Sequence, residues 1–298
     1  MTDDKSIFSY RCKHRHSAMS HPKCYEKFLR GEDNGEARLP KVLLFDIETS
    51  PLQAFVFQKS VWKTNIGADQ VISEWFMLTW SAKWLFDDTI MSERLTGKEA
   101  RAEDDSRLVK SLWSLLNEAD IVIAHNGDHF DVPNMNTRFI VHNLPPTSPY
   151  QTIDTMLVAR KQFGFTHNSL NGLGKLFGFE PKMETDFELW KKCVAGNDDA
   201  LAYMEKYNKG DVELLEDIYL KLRPWIKSHP NLGLYVESDG AICPNCGSEE
   251  LNWTKKYYFT QTGKYATFRC SNCGAFGRSR TTVLSKEIRK GLVVGLAK

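Results

Sequence analysis

Two acidic residues at the end of an apolar segment are the first candidates for chemistry in this sequence. Residues 42–45 are apolar, and Asp46 and Glu48 follow them directly. Alternate residues of a β-strand point to the same side, so a strand here would place both carboxylates together. Neighbouring carboxylates repel each other and raise one another's pKa unless a cation lies between them. A divalent cation bound by oxygen ligands would remove this repulsion, although two solvated acids at a strand end would show the same pattern.

Two later segments each add an acidic residue. Residues 121–125 are strand-like, and Asp131 follows Asn126 where a helix would begin. Tyr207 and Asp211 lie four residues apart on a helical segment, so they share one helix face. Each acid also fits a structural role: Asp131 could be stabilised by a helix dipole, and Asp211 could be a surface acid.

Together the three segments resemble the exonuclease motifs of the DEDD family, which has a ribonuclease H-like fold. The resemblance covers residues 41–225, and the tyrosine near the last motif is similar to that of the DEDDy branch. Order, spacing and strand or helix context match at Asp46 and Glu48, at Asn126 and Asp131, and at Tyr207 and Asp211.

Asp154 lies in a segment that also resembles the family, and we expect its role to be structural.

The resemblance implies hydrolysis of phosphodiesters with two Mg²⁺ or Mn²⁺ ions and a 3′→5′ polarity. It implies that Asp46 bridges both ions and that Glu48 and Asp211 complete the tighter site. Asp131 would hold the second ion through water. Tyr207 would hydrogen-bond the attacking water, and because a phenol has an unperturbed pKa of about 10, orientation is its expected role.

Four cysteines near the C-terminus form two Cys-x-x-Cys-Gly segments, at Cys243 and Cys246 and at Cys270 and Cys273. Two such turns can hold one structural Zn²⁺ in tetrahedral geometry. The intervening residues are rich in aromatic and basic side chains around a Thr-Gly turn, which predicts the hairpin of a zinc ribbon. These side chains could stack on bases and pair with phosphates, or they could simply pack while zinc replaces a missing core.

A second group of possible zinc ligands lies near the N-terminus. It consists of Cys12, His14, His16, His21 and Cys24. The alternative interpretation is a basic arm that contacts nucleic acid or a protein partner.

The elements that must position these residues alternate in type. The predicted strands are 42–46, 74–84, 89–95 and 121–125, and the predicted helices are 103–117, 132–142, 170–177 and 199–222. This alternation predicts an α/β fold, a mixed central sheet flanked by helices, with a small zinc-ribbon domain in addition. The predicted organisation is an N-terminal arm and linker (1–40), a nuclease domain (41–225), a linker (226–242), the zinc ribbon (243–280) and a tail (281–298).

Composition and charge narrow the class of protein. The apolar content of 42% suits a globular protein. The longest apolar stretches are shorter than the roughly 20 residues that span a bilayer, and the N-terminus lacks a signal-peptide pattern. These features predict a cytosolic protein without membrane contact. Residues 240–298 contain ten Lys or Arg against three Glu, and a basic segment of this kind suits an anionic polymer as partner.

These observations predict a metal-dependent 3′→5′ exonuclease. DNA is favoured over RNA because a compact nuclease with a zinc ribbon and no following polymerase domain looks similar to phage-encoded DNA-processing exonucleases, which would act in the host cytosol. An RNA exonuclease of the same family is one alternative. A catalytically inactive module that binds or recruits nucleic acid is another, although the presence of all four acids and the tyrosine favours an enzyme.

Overall fold

The structure is a computed structural model, and it describes residues 23, 40–57, 65–179, 183–235, 238 and 240–296. It divides into two compact units. One unit is Lys41–Leu220, and the other includes the residues from Lys221 onward.

The first unit is built around a mixed sheet of five strands in the order β5-β4-β1-β6-β7. Strand β1 is antiparallel to β4 and parallel to β6, and β6 is parallel to β7. The strands of this unit are β1 (Val42–Thr49), β2 (Gln53–Ala54), β3 (Val71–Ser73), β4 (Met77–Trp84), β5 (Ile90–Arg94), β6 (Ile121–Ala124) and β7 (Gln151–Asp154). The helices that begin in it are α1 (Gly97–Arg101), α2 (Ser106–Glu118), α3 (Asp131–Val141), α4 (Thr155–Gln162), α5 (Leu170–Phe177), α6 (Phe187–Val194) and α7 (Asp198–Leu222).

The core of this unit lies against the central strand. Leu43, Leu44 and Phe45 are consecutive and fully buried, so both sides of β1 are covered. Helix α2 buries Leu108 and Leu112 at helical spacing in the same cluster as β1. Burying a leucine side chain contributes about 1.5–3 kcal/mol, and this apolar packing fixes the strand that carries Asp46 and Glu48.

The α/β fold with a mixed central sheet is confirmed. Helix α5 has the predicted bounds: Ser169 caps its start by accepting a hydrogen bond from the Gly172 N–H, and Gly178 ends it with a left-handed φ of 77°. The strand predicted from residue 74 begins only at Met77. Strand β7 was not predicted, because only the last two of its four residues are buried and it shows no alternating pattern. The helices α1, α4 and α6 were not predicted either.

The second unit contains a three-stranded antiparallel sheet in the order β10-β9-β8. Its strands are β8 (Leu251–Phe259), β9 (Lys264–Cys270) and β10 (Phe276–Arg278), and the helix α8 (Lys286–Lys290) follows. The predicted hairpin is formed by β8 and β9. Single 3₁₀ turns occur at Arg223–Trp225 and Leu232–Leu234. Among the described residues, none of the helices combines the length and the apolar character that crossing a membrane requires.

Candidate active site and cysteine cluster

Three of the predicted acidic residues converge in the first unit. Asp46 and Glu48 lie on β1, where they pair in register with Ser81 and Thr79 of β4. Asp211 lies on α7 and is buried. One carboxylate oxygen from each of the three acids lies within 4.8 Å of the other two. Residues that are far apart in sequence therefore meet at one place on the sheet.

The chemistry of this donor set fits a divalent cation. Three carboxylates at such separations repel one another when they are ionised, and a cation between them offsets the repulsion. Mg²⁺ and Mn²⁺ prefer oxygen ligands of this kind. Asp46, Glu48 and Asp211 are therefore a ligand set compatible with a divalent metal ion.

Asn208 holds one of these carboxylates in place. Its side-chain Nδ2 donates a hydrogen bond to Asp46 Oδ2 over 2.6 Å, and the residue is completely buried. It lies on α7, three residues before Asp211, so both project from one side of the helix. Asn208 was not among the predicted site residues, although an amide on the apolar face of a predicted helix is a signal that could have identified it.

Asp131 lies beside the backbone of β1. It begins α3 and is only 1% exposed. Its Oδ1 accepts a hydrogen bond of 3.2 Å from the backbone N–H of Ile47, the residue between Asp46 and Glu48. Burial raises the pKa of Asp131 to about 7, against the opposing effect of the Ile47 hydrogen bond. This carboxyl group therefore ionises near neutral pH and lies against the backbone that carries the cluster.

Asp154 anchors the turn that leads to Asp131. Its carboxylate accepts hydrogen bonds from the backbone N–H groups of Asn126 and Asp128 at 3.0 and 3.3 Å. It also caps α4 by accepting from the N–H groups of Met156 and Leu157. Asn126 has a left-handed φ of 68°, a conformation that asparagine tolerates better than most residues. These contacts agree with the structural role expected for Asp154.

Tyr207 is partly buried on α7, where it packs against the apolar core of the first unit. It lies one helical turn before Asp211, as the spacing predicts. Its orientation of an attacking water stays a prediction.

The four C-terminal cysteines also converge. Their Sγ atoms lie within 4.8 Å of one another, with separations of 3.6 Å between Cys243 and Cys273 and between Cys246 and Cys270. This arrangement is compatible with a zinc ribbon, because four thiolates are a common ligand set for structural Zn²⁺. Hydrogen bonds from the Cys243 and Cys273 thiols lower the pKa of Cys246, whereas the hydrogen bond to Cys246 raises the pKa of Cys243. Binding of Zn²⁺ by all four sulfurs would therefore release the protons that the cluster holds without metal.

Both cysteine turns share one backbone geometry. Gly247 and Gly274 follow the second cysteine of each turn, and their φ angles of 71° and 77° are left-handed. Their N–H groups donate to the carbonyls of Cys243 and Cys270. Glycine adopts this conformation without steric cost, which explains why it follows each Cys-x-x-Cys segment.

The N-terminal group of Cys12, His14, His16, His21 and Cys24 lies outside the residues that the structure describes. Its binding of a second zinc ion stays a prediction. Cys193, by contrast, is buried in the core of the first unit.

The comparison with protein families agrees with this α/β fold. Residues 43–223 match the family model of the RNase_H superfamily, and the chain belongs to that superfamily. This membership supports a nuclease hydrolase as the general class of the protein. No curated protein matches the chain by sequence.

Among solved structures, the family B DNA polymerase from the hyperthermophilic archaeon Pyrobaculum calidifontis is similar to 75% of this chain, with 15% sequence identity and a TM-score of 0.47. The match covers 32% of the polymerase, so this chain spans about a third of that protein's length.

Proposed function

We propose that the chain is a metal-dependent 3′→5′ exonuclease that hydrolyses the phosphodiester bonds of DNA. The observation that carries this proposal is the convergence of Asp46, Glu48 and Asp211 in a chain of the RNase_H superfamily. The polarity and the two-ion mechanism follow from the resemblance of the three acidic segments to the DEDD exonuclease motifs.

Each residue has a separate task in the proposed reaction. Asp46, Glu48 and Asp211 hold divalent cations, and Asp131 contributes a further carboxylate for the second ion. When bound, the cations lower the pKa of the attacking water and stabilise the leaving 3′ oxygen. Tyr207 orients that water through its hydroxyl group. Asn208 keeps the Asp46 carboxylate in one orientation through the hydrogen bond to Oδ2.

The preference for DNA is part of the proposal. It rests on the resemblance, drawn from the sequence, of a compact nuclease unit with a four-cysteine element to DNA-processing exonucleases encoded by phages. RNA hydrolysis by the same site is the alternative that the experiment must separate, since the metal chemistry at a phosphodiester is the same for both polymers.

Digestion of matched single-stranded DNA, duplex DNA and RNA tests the proposal, with each substrate labelled at either the 5′ or the 3′ end. With Mg²⁺ or Mn²⁺ present, we expect 5′-labelled DNA to shorten one nucleotide at a time and 3′-labelled DNA to release labelled mononucleotide at once. The Asp46→Ala and Asp211→Ala variants should keep the fold and lose cleavage. Asp217→Ala is the matched control, because Asp217 is an exposed acid on the same helix.

Three outcomes would count against the proposal. Faster digestion of RNA than of DNA would move the substrate to RNA, and release of label from the 5′ end first would reverse the polarity. Absence of metal-dependent cleavage on every substrate would overturn the enzyme and favour a binding or recruitment module.

A further inference from the structure

All the charged side chains of the three-stranded sheet in the second unit are positive. Residues 251–278, which include all three strands, contain five Lys or Arg and no Asp or Glu. The same residues include seven aromatic side chains. A surface with this composition attracts a polyanion, and the aromatic rings offer contacts that a purely electrostatic surface lacks.

The strand register places five of these side chains on one side of the sheet. Tyr258 of β8 lies opposite Tyr265 of β9, and Arg269 of β9 lies opposite Phe276 of β10. Arg278 pairs with Thr267, which lies between Tyr265 and Arg269 on β9. Because alternate residues of a strand share a side, these pairs form one face. We call it the Arg–Tyr face, made up of Tyr258, Tyr265, Arg269, Phe276 and Arg278.

Aromatic rings hold both arginines of the Arg–Tyr face in position. The Arg278 guanidinium lies 4.1 Å from the ring centre of Tyr265 and 5.3 Å from that of Tyr258. The Arg269 guanidinium lies 5.7 Å from the ring centre of Phe276. A guanidinium stacked in this way loses little further freedom when it binds a phosphate through its N–H groups.

The rings of this face are also accessible. Tyr258 is 52% exposed and Phe276 is 54% exposed. On the opposite side of the sheet, Phe268 is buried and lies over Gly277, where a Cβ atom would clash with its ring. Phe268 packs on the opposite side of the sheet, so the exposed rings of Tyr258 and Phe276 are not part of that contact.

We propose that the Arg–Tyr face binds single-stranded nucleic acid. Unpaired bases expose their flat surfaces, and these can stack on Tyr258 and Phe276, whereas the bases of a duplex are already stacked on one another. Arg269 and Arg278 contact the phosphates. This inference does not rest on the proposed nuclease activity, because it concerns binding by a different unit of the chain.

Fluorescence anisotropy with the full chain tests this inference. The Asp46→Ala background keeps the probes intact, and the probes are labelled 20-nucleotide oligothymidylate, oligouridylate and a duplex DNA of equal length. Tyr258→Ala should weaken single-strand binding about tenfold, as expected for loss of one stacked base. Tyr257→Ala is the matched control, because Tyr257 is the next residue, 45% exposed, on the opposite side of β8. It should leave affinity unchanged.

A second pair of variants tests the role of the arginines. The Arg269→Gln and Arg278→Gln double variant should lower the slope of log K against log salt by about 1.4, because each phosphate contact to a single strand contributes about 0.7. Lys286→Gln combined with Arg289→Gln removes the same charge outside the sheet, and its slope should stay close to that of the parent chain. Zinc content and circular dichroism must match the parent chain in every variant that is scored.

Equal loss of affinity in the Tyr257 and Tyr258 variants would overturn the inference, and so would equal loss of salt slope in the two double variants. Tighter binding of the duplex than of either single strand would also overturn it. The inference is supported if the chain binds either oligothymidylate or oligouridylate, if Tyr258→Ala weakens this binding and Tyr257→Ala does not, and if the Arg269 and Arg278 double variant alone lowers the salt slope. If the wild-type chain binds in this way but cleaves no substrate, the proposed nuclease function fails while this inference stands.

Discussion

The buried carboxyl group of Asp131 should make the metal-free chain less stable as pH rises. Its pKa is raised from 3.8 to about 7, with burial as the largest cause. Between these two values the folded chain keeps a proton that the unfolded chain releases. The free energy of unfolding therefore decreases as pH rises from about 4 to about 7. Since one pKa unit corresponds to about 1.4 kcal/mol, the contribution of this group is on the order of 4 kcal/mol.

The Asp131→Asn variant isolates this contribution. The amide retains an oxygen that can accept the Ile47 hydrogen bond but has no proton to release. Urea denaturation at pH 5 and pH 8, without added Mg²⁺ or Mn²⁺, should show the variant gaining a few kcal/mol relative to the parent chain at the higher pH. Added Mg²⁺ should shrink this difference, because a nearby cation favours the ionised carboxylate.

Asp128→Asn is the control for this experiment. Asp128 is an exposed acid in the same segment, so its replacement should leave the pH dependence of the parent chain intact. Parallel stability curves for Asp131→Asn and the parent chain at both pH values would refute the reasoning. Such a result would mean that Asp131 ionises freely in the folded state.

Three further predictions concern single residues. Asn208→Ala removes the hydrogen bond to Asp46, so cleavage should slow by about 10- to 100-fold and half-saturation should need more Mg²⁺, measured by metal titration of the cleavage rate. Tyr207→Phe should reduce the cleavage rate by about 100-fold with an unchanged Mg²⁺ requirement, and an unchanged rate would remove Tyr207 from the reaction. Cys246→Ser should lower the zinc content of the C-terminal four-cysteine site, measured by a colorimetric assay, and full retention would exclude Cys246 as a ligand.

The fold could be predicted because local patterns encode its main elements, and the clustering of the three acids could be predicted from the resemblance of their segments to the DEDD exonuclease motifs. The apolar residues of β1 and β6 are buried on both sides of the sheet, and such strands appear as continuous apolar runs. Asp211 lies one helical turn after Tyr207, so the spacing alone places both on one face of α7. The two Cys-x-x-Cys-Gly turns are likewise complete local units, and their four sulfur atoms meet as the spacing predicts.

The remaining features depend on contacts between distant residues. The hydrogen bond from Asn208 to Asp46 joins residues 162 positions apart, and the one from Ile47 to Asp131 spans 84 positions. Neither hydrogen bond produces a periodic pattern of apolar and polar residues that could be recognised in the sequence. The burial of Asp131 against the Ile47 backbone is therefore a result of tertiary packing, and the sequence motif alone does not reveal the environment of each acid.

Anomalous diffraction from crystals soaked with Mn²⁺ tests most directly whether the acidic cluster is a metal site. We predict an anomalous peak coordinated by carboxylate oxygens of Asp46, Glu48 and Asp211, and its loss in crystals of the Asp46→Ala variant. The account would be contradicted if the chain cleaves nucleic acid with Mn²⁺ but the anomalous peaks lie elsewhere, with none beside these three carboxylates.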